Sequence, residues 1–255
     1  MISRLADPGA AGPLFDGWQE SIIWSCLQGV MGRVYADDPA EPRSAMAILG
    51  DFCFLAGRPS DALARYRPPD WERDFIIMVP RDRSWENAIE LAYGARARRV
   101  VRYAIKKEPD IFDRDALGAA VRSLPPGFCL RPIDGELFAL CRANDWSRDL
   151  VSQYEDYAVY QKLGLGIVAL EHGVPVSGAS AYSRYRGGIE VEIDTSPAHR
   201  RRGLAYACGA ALILACLERG LYPSWDAQNL WSVALAEKLG YHFDCEYPAY
   251  EIEGY

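Results

Sequence analysis

The sequence predicts an α/β (α+β) protein whose C-terminal part is a mixed, mostly antiparallel sheet with flanking helices, preceded by a smaller α/β domain. Between residues 166 and 195, three strand-like segments are separated by glycine-containing turns, which is typical of an antiparallel meander. After residue 195, helical and strand-like segments alternate. Pro125-Pro126-Gly127 is the clearest break in the chain, and it separates two predicted domains, 1–125 and 126–255.

The composition is typical of a globular protein: 255 residues, half of them hydrophobic and a quarter charged, with a net charge of −7. Nucleic-acid binding calls for a basic surface, so we expect no nucleic-acid partner. No apolar run approaches the roughly 20 residues that span a bilayer, and the segment from Met1 to Pro8 lacks a secretory apolar core. We therefore expect a cytoplasmic protein with no membrane partner.

The cysteines and histidines predict neither disulfides nor a metal site. The seven cysteines are widely spaced, form no Cys-x-x-Cys pair and mostly have apolar neighbours, so we expect reduced thiols in the core. The histidines, His172, His199 and His242, are far apart in the sequence. No bound metal is expected.

In the N-terminal domain, the spacing of apolar residues predicts mixed helices and strands after a loose Pro- and Gly-rich start. One helix follows Asp16, its predicted N-cap, and a second spans 84–93 with Ser84 as its cap. The other elements are a loop or hairpin edge at 33–42, buried strands within 45–56 and at 75–80, a short helix at 60–66, a strand at 98–105 and a helix at 113–124 opened by Asp113.

The C-terminal domain is predicted to start with a strand and two helices, the second of which carries three tyrosines (Tyr154, Tyr157, Tyr160). In order, these and the following elements are a strand at 128–133, helices at 135–144 and 148–163, meander strands at 166–171, 176–185 and 188–195, a helix at 203–219, a strand at 222–226, a helix at 230–239 stopped by Gly240, and a closing strand or pair at 241–252.

The stretch from Ile193 to Ala205 predicts an anion-binding site. It combines the end of a strand, the cations of Arg200, Arg201 and Arg202, and the start of a helix, whose first amides have no intrahelical partners. Glycine at position 203 lets backbone amides approach a diphosphate without an intervening side chain. Three arginines in succession also form a local cationic spot on an acidic protein.

Two motifs, Arg200-x-x-Gly203-x-Ala205 and Asn229-x-x-Ser232 with the segment that follows it, together resemble the GNAT superfamily of acetyl-CoA-dependent N-acetyltransferases. Arg200-x-x-Gly203-x-Ala205 is similar to the family's pyrophosphate loop. Asn229-x-x-Ser232 leading into Leu235-Ala-Glu-Lys-Leu-Gly-Tyr241 is similar to the family's segment along the pantetheine arm. Both have the expected strand–helix context. The resemblance covers residues 127 to 255 and implies a GNAT-like C-terminal domain.

Within this superfamily, the sequence resembles a bacterial subgroup. The segments from Glu190 to Thr195 and from Pro223 to Tyr241 carry this finer resemblance. The subgroup includes proteins similar to the zwittermicin A resistance acetyltransferase, which acetylates an aminopolyol antibiotic. The finer resemblance indicates a relative and does not identify a substrate.

The resemblance implies acetyl-CoA (coenzyme A) as the cofactor and assigns residues to it. Amides near the end of the third meander strand would polarise the thioester carbonyl, the next loop would hold the diphosphate, and the second motif would contact the pantetheine side. These residues are Ile193, Asp194 and Thr195; Arg200, Arg201, Arg202, Gly203, Leu204 and Ala205; and Asn229 and Ser232.

A general base is predicted on the strand at 188–195. Its apolar residues alternate onto one face, so Glu190, Glu192 and Asp194 share the other, and a carboxylate there could deprotonate an ammonium acceptor. Glu192 is the first candidate for this catalytic role and Glu190 the second. The competing interpretation is that these are ordinary charges on a solvated sheet face.

The sequence departs from the family pattern at the general acid. Many family members have a tyrosine four residues before the Gly-aromatic pair, and here that position is Ala236. Three alternatives stay open. Solvent or another tyrosine (Tyr206, Tyr241, or one of Tyr154 to Tyr160) protonates the leaving thiolate, the thiolate leaves unassisted, or catalysis is weak.

The predicted function is acetyl transfer from acetyl-CoA to a primary amine of a small molecule, by direct attack in a ternary complex. The alternative is a non-catalytic acyl-CoA sensor or scaffold, which Ala236 and the large additional domain make reasonable. The oligomeric state is open, and a homodimer is one alternative.

Overall fold

The computed structural model describes residues 2–255 and divides into two compact units. The first comprises the residues up to Arg102 together with Glu246–Tyr255, and the second comprises Tyr103–Cys245. Both divisions fall within strands. These units differ from the predicted domains 1–125 and 126–255. The predicted boundary at residues 125 and 126 stays a prediction.

The elements are numbered in chain order. The strands are β1 (Ser3–Arg4), β2 (Arg33–Ala36), β3 (Ser44–Leu49), β4 (Phe52–Gly57), β5 (Phe75–Pro80), β6 (Ala97–Ile105), β7 (Phe128–Pro132), β8 (Gly166–Glu171), β9 (Val174–Tyr185), β10 (Gly188–Thr195), β11 (Tyr222–Ser224), β12 (Asp226–Ala227) and β13 (Phe243–Glu253). The α-helices are α1 (Ser21–Leu27), α2 (Asp61–Ala64), α3 (Arg83–Tyr93), α4 (Arg114–Arg122), α5 (Gly135–Ala143), α6 (Tyr157–Leu163), α7 (Leu204–Leu217) and α8 (Leu230–Lys238).

The first unit is built on a largely antiparallel sheet. Strands β1 to β4 pair antiparallel in sequence order, β4 pairs parallel with β5, and the end of β13 pairs antiparallel with β5. Helix α3 contributes Trp85 and Ile89 to a core that includes Met46 and Tyr250. The indole nitrogen of Trp85 donates a hydrogen bond to the Gly57 carbonyl (2.9 Å), so its one polar group is satisfied.

The second unit contains the sheet β11-β10-β9-β8-β7. Strands β7 to β10 are antiparallel, whereas β10 and β11 are parallel. Helix α7 packs on this sheet and α4 packs on α7. Glycine and alanine residues let α7 lie close, since a Cβ on Gly209 would be 3.5 Å from Ile193 of β10. On the opposite face, Leu150 lies against Gly178 of β9.

The predicted fold class is confirmed: the protein is mixed α/β, with antiparallel strands and flanking helices. The antiparallel meander is β8–β9–β10, and the helix after it is α7. The interruption predicted at Gly50-Asp51 separates β3 from β4. The predicted cap Asp113 is also correct, because its side chain accepts hydrogen bonds from the first amides of α4.

The predicted N-terminal region is wrong in two respects. The first residues are not uniformly loose, because Pro8–Phe15 form a 3₁₀ helix whose start Asp7 caps through the Gly9 amide (3.0 Å). Asp16 does not cap the next helix, which begins at Ser21. Short elements such as this 3₁₀ helix have too little periodicity to be recognised from apolar spacing. The loop or hairpin edge predicted at 33–42 corresponds to strand β2 and its connection to the antiparallel strand β3.

The helix predicted at 148–163 is also wrong. Only a 3₁₀ turn at Arg148–Leu150 and α6 are helical there. Asp156 explains the late start of α6, because its side chain accepts a hydrogen bond from the Val159 amide (2.8 Å) and caps a new helix. Tyr154 lies before that cap, and its hydroxyl donates to the Ala181 carbonyl (2.9 Å).

Asp82, rather than the predicted Ser84, caps helix α3, and this difference is testable. The Asp82 carboxylate accepts hydrogen bonds from the amides of Ser84 (2.9 Å) and Trp85 (3.2 Å). We expect Asp82→Ala to lower the free energy of unfolding by about 1 kcal/mol. Ser84→Ala is the matched control and should change it by less than about 0.5 kcal/mol. Urea unfolding of both variants measures this, and equal effects would contradict the Asp82 assignment.

Candidate functional site

Strands β10 and β11 separate after a short region of pairing. Gly188, Ile189 and Glu190 pair with Tyr222, Pro223 and Ser224, respectively. Beyond Glu190, β10 remains paired with β9 on one side, and within residues 2–255 no strand pairs with its other side. After Trp225 the chain instead forms β12, which pairs with β6. The separation leaves the side of β10 that faced β11 as a free sheet edge beyond Glu190, where a ligand can form strand-like hydrogen bonds.

Helix α7 begins beside this free edge with a left-handed glycine. Gly203 has φ +81° and is the N-cap, so no side chain covers the first amides of the helix. A Cβ at this position would meet no heavy atom within 4 Å. The open space and the amides of Leu204 and Ala205 fit a diphosphate.

The three arginines of the loop have different environments. Arg200 is tied to the end of β10, because its Nε donates to the Thr195 carbonyl (3.2 Å). Arg201 adopts φ +60°, which is unusual for a residue with a side chain. Arg202 stacks on the Phe128 ring at 4.7 Å and approaches the Glu171 carboxylate at 3.8 Å. Arg201 and Arg202 are exposed, so both can contribute charge to an anion at the start of α7.

Glu171 holds the loop from the neighbouring strand β8. Its carboxylate lies 3.0 Å from Nε2 of His199 and also faces Arg202. The pKa of Glu171 is lowered, chiefly by the hydrogen bond with His199. Glu171 is partly buried. It was not among the predicted site residues, because it lies on a strand that is far in sequence from the loop residues His199 and Arg202 that it contacts.

The two faces of β10 have the predicted character. Thr195 points toward α7, and its hydroxyl is 2.7 Å from Ser177 Oγ. Glu192, on the other face, lies opposite Ser180, whose hydroxyl is 2.8 Å from that of Tyr160. Glu192 is half-buried, so it can contact an acceptor while part of its charge is shielded from water.

Glu190 lies in a buried polar row across three strands. It is 5% exposed, with Ser183 on one side and Ser224 on the other. The Ser224 hydroxyl is 3.1 Å from that of Tyr185, whose pKa burial raises to about 12. The solvated-face interpretation is therefore wrong for Glu190. A slip in register between Glu190 and Val191 marks the point where this row ends.

The predicted thioester-polarising amides differ in availability. The Thr195 amide donates to the Asp194 carboxylate (2.6 Å). Because amides alternate in direction along a strand and Ser196 donates to Val176 of β9, the Asp194 amide also faces β9, which leaves Ile193 as the candidate donor at this edge. Burial raises the pKa of Asp194, and the Thr195 amide partly offsets this effect. Because its carboxylate already bonds its own strand end, Asp194 is a weaker candidate base than Glu192.

The second motif has a structural role at the start of α8. Asn229 is the N-cap, and its side-chain oxygen accepts from the Ser232 amide (3.0 Å). The Ser232 hydroxyl accepts from the indole nitrogen of the buried Trp225 (3.0 Å). The predicted cofactor contacts of Asn229 and Ser232 stay predictions, since in this structure both side chains organise the start of α8.

Most of the tyrosines considered as a replacement general acid already form hydrogen bonds through their hydroxyl groups. The Tyr241 hydroxyl donates to the Pro223 carbonyl (2.7 Å), and burial raises its pKa well above the ordinary value. Tyr154 and Tyr160 are buried and make the hydrogen bonds given above. Tyr206, in the first turn of α7, lies 4.0 Å beneath the ammonium of Lys238.

The cysteines are all free. Five are buried as predicted, whereas Cys129 and Cys245 are exposed. Two of the buried thiols, Cys208 and Cys216, lie on α7, and burial raises the pKa of each to about 12. Such thiols are protonated at neutral pH and are poor nucleophiles. Within residues 2–255, no three His, Cys, Asp or Glu residues group as a metal site, and no helix is long and apolar enough to cross a membrane.

Known proteins share this architecture along nearly the whole chain. A family model described as GNAT acetyltransferase matches residues 12–250, so the family match extends well beyond the 127–255 predicted from motifs. The uncharacterized N-acetyltransferase YdfB of Bacillus subtilis (strain 168) is 27% identical over 250 residues, covering 92% of this chain and 91% of that protein.

Solved structures agree with this match. A GCN5-related N-acetyltransferase-like protein from Streptococcus suis 89/1591 has a TM-score of 0.91 and 47% identity, covering 97% of this chain and 98% of that chain. A tandem GNAT protein from the clavulanic acid biosynthesis pathway shares only the fold, with a TM-score of 0.58 and 12% identity over 100% of this chain and 98% of that chain. The protein belongs to the GNAT acetyltransferase family and is an N-acetyltransferase.

Proposed function

We propose that this N-acetyltransferase uses acetyl-CoA and transfers the acetyl group to a primary amine of a small molecule by direct attack in a ternary complex. The observation that carries the proposal is the free edge of β10 beside the uncovered start of α7. A diphosphate at the Gly203 amides and a pantetheine arm along Val191–Thr195 would fit this arrangement. When bound, acetyl-CoA supplies an activated thioester.

Different residues of the chain would bind the cofactor, polarise its thioester and deprotonate the acceptor. Arg201, Arg202 and the amides of Leu204 and Ala205 would bind the diphosphate. The amide of Ile193 would donate to the thioester carbonyl. Glu192 would take the proton of the ammonium acceptor, with Glu190 as the second candidate. Ala236 is fully buried, so it offers no donor to the leaving thiolate.

The burial of the two α7 thiols favours direct attack over a route through an acyl-enzyme. A covalent route needs an activated nucleophile, and the buried Cys208 and Cys216 have raised pKa values. The relatives described as N-acetyltransferases also favour an enzyme over the alternative, a non-catalytic acyl-CoA sensor or scaffold.

The partners follow from the sequence and remain proposals. We propose a small-molecule amine acceptor, a cytoplasmic location, and no nucleic-acid or membrane partner. An aminopolyol is a reasonable first acceptor class because of the resemblance to the zwittermicin A resistance acetyltransferase. A homodimer is compatible with this function.

The test is a thiol-release assay with acetyl-CoA over a panel of aminopolyols, polyamines and amino sugars. We expect at least one amine to give CoA release above buffer hydrolysis, and initial rates to show intersecting lines when both substrates are varied. Parallel lines would contradict direct attack. Tight acetyl-CoA binding without turnover on any amine would favour the sensor, and no acetyl-CoA binding would contradict the cofactor assignment.

A further inference from the structure

Trp231 exposes almost its whole side chain. Its indole is 85% exposed in the first turn of α8, although tryptophan ordinarily buries most of its surface in a folded protein. It occupies one of the two unspecified positions of the Asn229-x-x-Ser232 motif, which assigns it no role. An exposed indole is a flat apolar surface with one polar edge, which suits it to bind a planar ring.

Trp231 shares one face of α8 with a residue that contacts the start of α7. Residues 231 and 238 are seven apart, so they share one face of the helix and are separated by about 10 Å along its axis. Lys238 places its ammonium 4.0 Å from the centre of the Tyr206 ring, in the first turn of α7. Leu239, the next residue, would be 2.9 Å from a Cβ on Gly209 of α7. The C-terminal end of this face of α8 therefore adjoins the first turns of α7, and Trp231 lies about 10 Å farther along the same face.

We propose that Trp231 is the stacking platform for the adenine base of acetyl-CoA, an assignment that rests on the proposed function. If the diphosphate lies at the amides after Gly203, the adenine, joined to it through a single ribose, must lie beside the first turn of α7. Trp231 is an exposed aromatic side chain on the face of α8 whose far end contacts α7, so a base that extends from the diphosphate along α8 would reach it. Lys238, on the same face, supplies positive charge for the phosphate on that ribose.

The platform also explains an otherwise unfavourable exposure. Leu230 is 64% exposed beside Trp231, so the two side chains form an apolar patch at the start of α8. A second copy of the chain is the competing occupant of such a patch. The adenine differs from that occupant in a measurable way, because its contribution is lost when the adenosine part of the cofactor is removed.

The test compares, by isothermal titration, the affinities of CoA and 4′-phosphopantetheine, which lacks the adenosine, its 3′-phosphate and one phosphate of the diphosphate. We expect Trp231→Ala to weaken CoA binding by about fivefold to about hundredfold, the range of base–aromatic stacking, and to leave 4′-phosphopantetheine binding unchanged. Trp231→Phe should retain most of the CoA affinity. Leu230→Ala is the matched control, since it shortens the neighbouring exposed side chain and should change neither affinity.

The outcomes separate this proposal from the function on which it rests. Failure of the parent protein to bind CoA overturns both. Intact CoA binding with an unchanged CoA to 4′-phosphopantetheine ratio in Trp231→Ala overturns the adenine platform alone. Loss of a dimer in Trp231→Ala on size-exclusion chromatography, with that ratio unchanged, assigns the patch to a second copy and also overturns the platform.

Discussion

Gly203→Glu is expected to weaken acetyl-CoA binding by about a hundredfold or more. The Gly203 Cβ position is open, so a side chain there would extend into the space above the first amides of α7. A carboxylate in that space would repel the diphosphate, and one unit charge a few ångströms away is worth about 3 to 4 kcal/mol near a protein surface. Isothermal titration at low ionic strength measures the effect, which should shrink as salt is added.

Gly203→Gln is the matched control for this substitution. Both variants place a side chain at φ +81°, which costs on the order of 1 kcal/mol of stability, so their free energies of unfolding should agree. The glutamine variant has the same length without the charge and should bind acetyl-CoA at least about tenfold more tightly than the glutamate variant. Equal affinity of both variants and the parent would contradict a diphosphate site at this loop.

The fold could be predicted best where local signals were strong. The β8–β9–β10 meander combines alternating apolar residues with glycine-containing turns, and α7 follows β10 after a short 3₁₀ turn and loop, so rules that use only local sequence sufficed. The segment 148–163 was predicted wrongly because its apolar spacing continues past Asp156, where a side-chain cap starts a separate helix. A local hydrogen bond decided the outcome there, and apolar periodicity carries no information about it.

The site shows the same division between local and distant information. The Gly203 loop could be recognised because its chemistry lies within consecutive residues. The burial of Glu190 could not, because Ser183 and Ser224 reach it from neighbouring strands whose register only the folded sheet defines. Likewise, the Trp225 indole that bonds Ser232 lies in a separate segment, so the motif itself did not reveal this contact.

Glu192→Gln is expected to lower kcat/KM by about a hundredfold or more, while acetyl-CoA affinity stays within about twofold of the parent. Glutamine keeps the size of the side chain and cannot accept the ammonium proton. In the parent, kcat/KM should fall as the pH drops, because protonation of the base removes its acceptor. The variant should lose that acidic limb. Initial rates measured from pH 5 to 9, at a saturating acetyl-CoA concentration and with the acceptor concentration varied, test both effects.

Asp194→Asn distinguishes Glu192 from the other titrating carboxylate on this face. Burial raises the pKa of Asp194, so it also takes up a proton as the pH falls from neutrality, at a higher pH than an ordinary aspartate. Asparagine retains the side-chain oxygen that accepts the Thr195 amide, so Asp194→Asn should preserve the strand end and the acidic limb. If this variant loses the limb while Glu192→Gln keeps it, Glu192 is not the base. Loss of activity in Glu190→Gln alone would instead transfer the role to the buried row between Ser183 and Ser224.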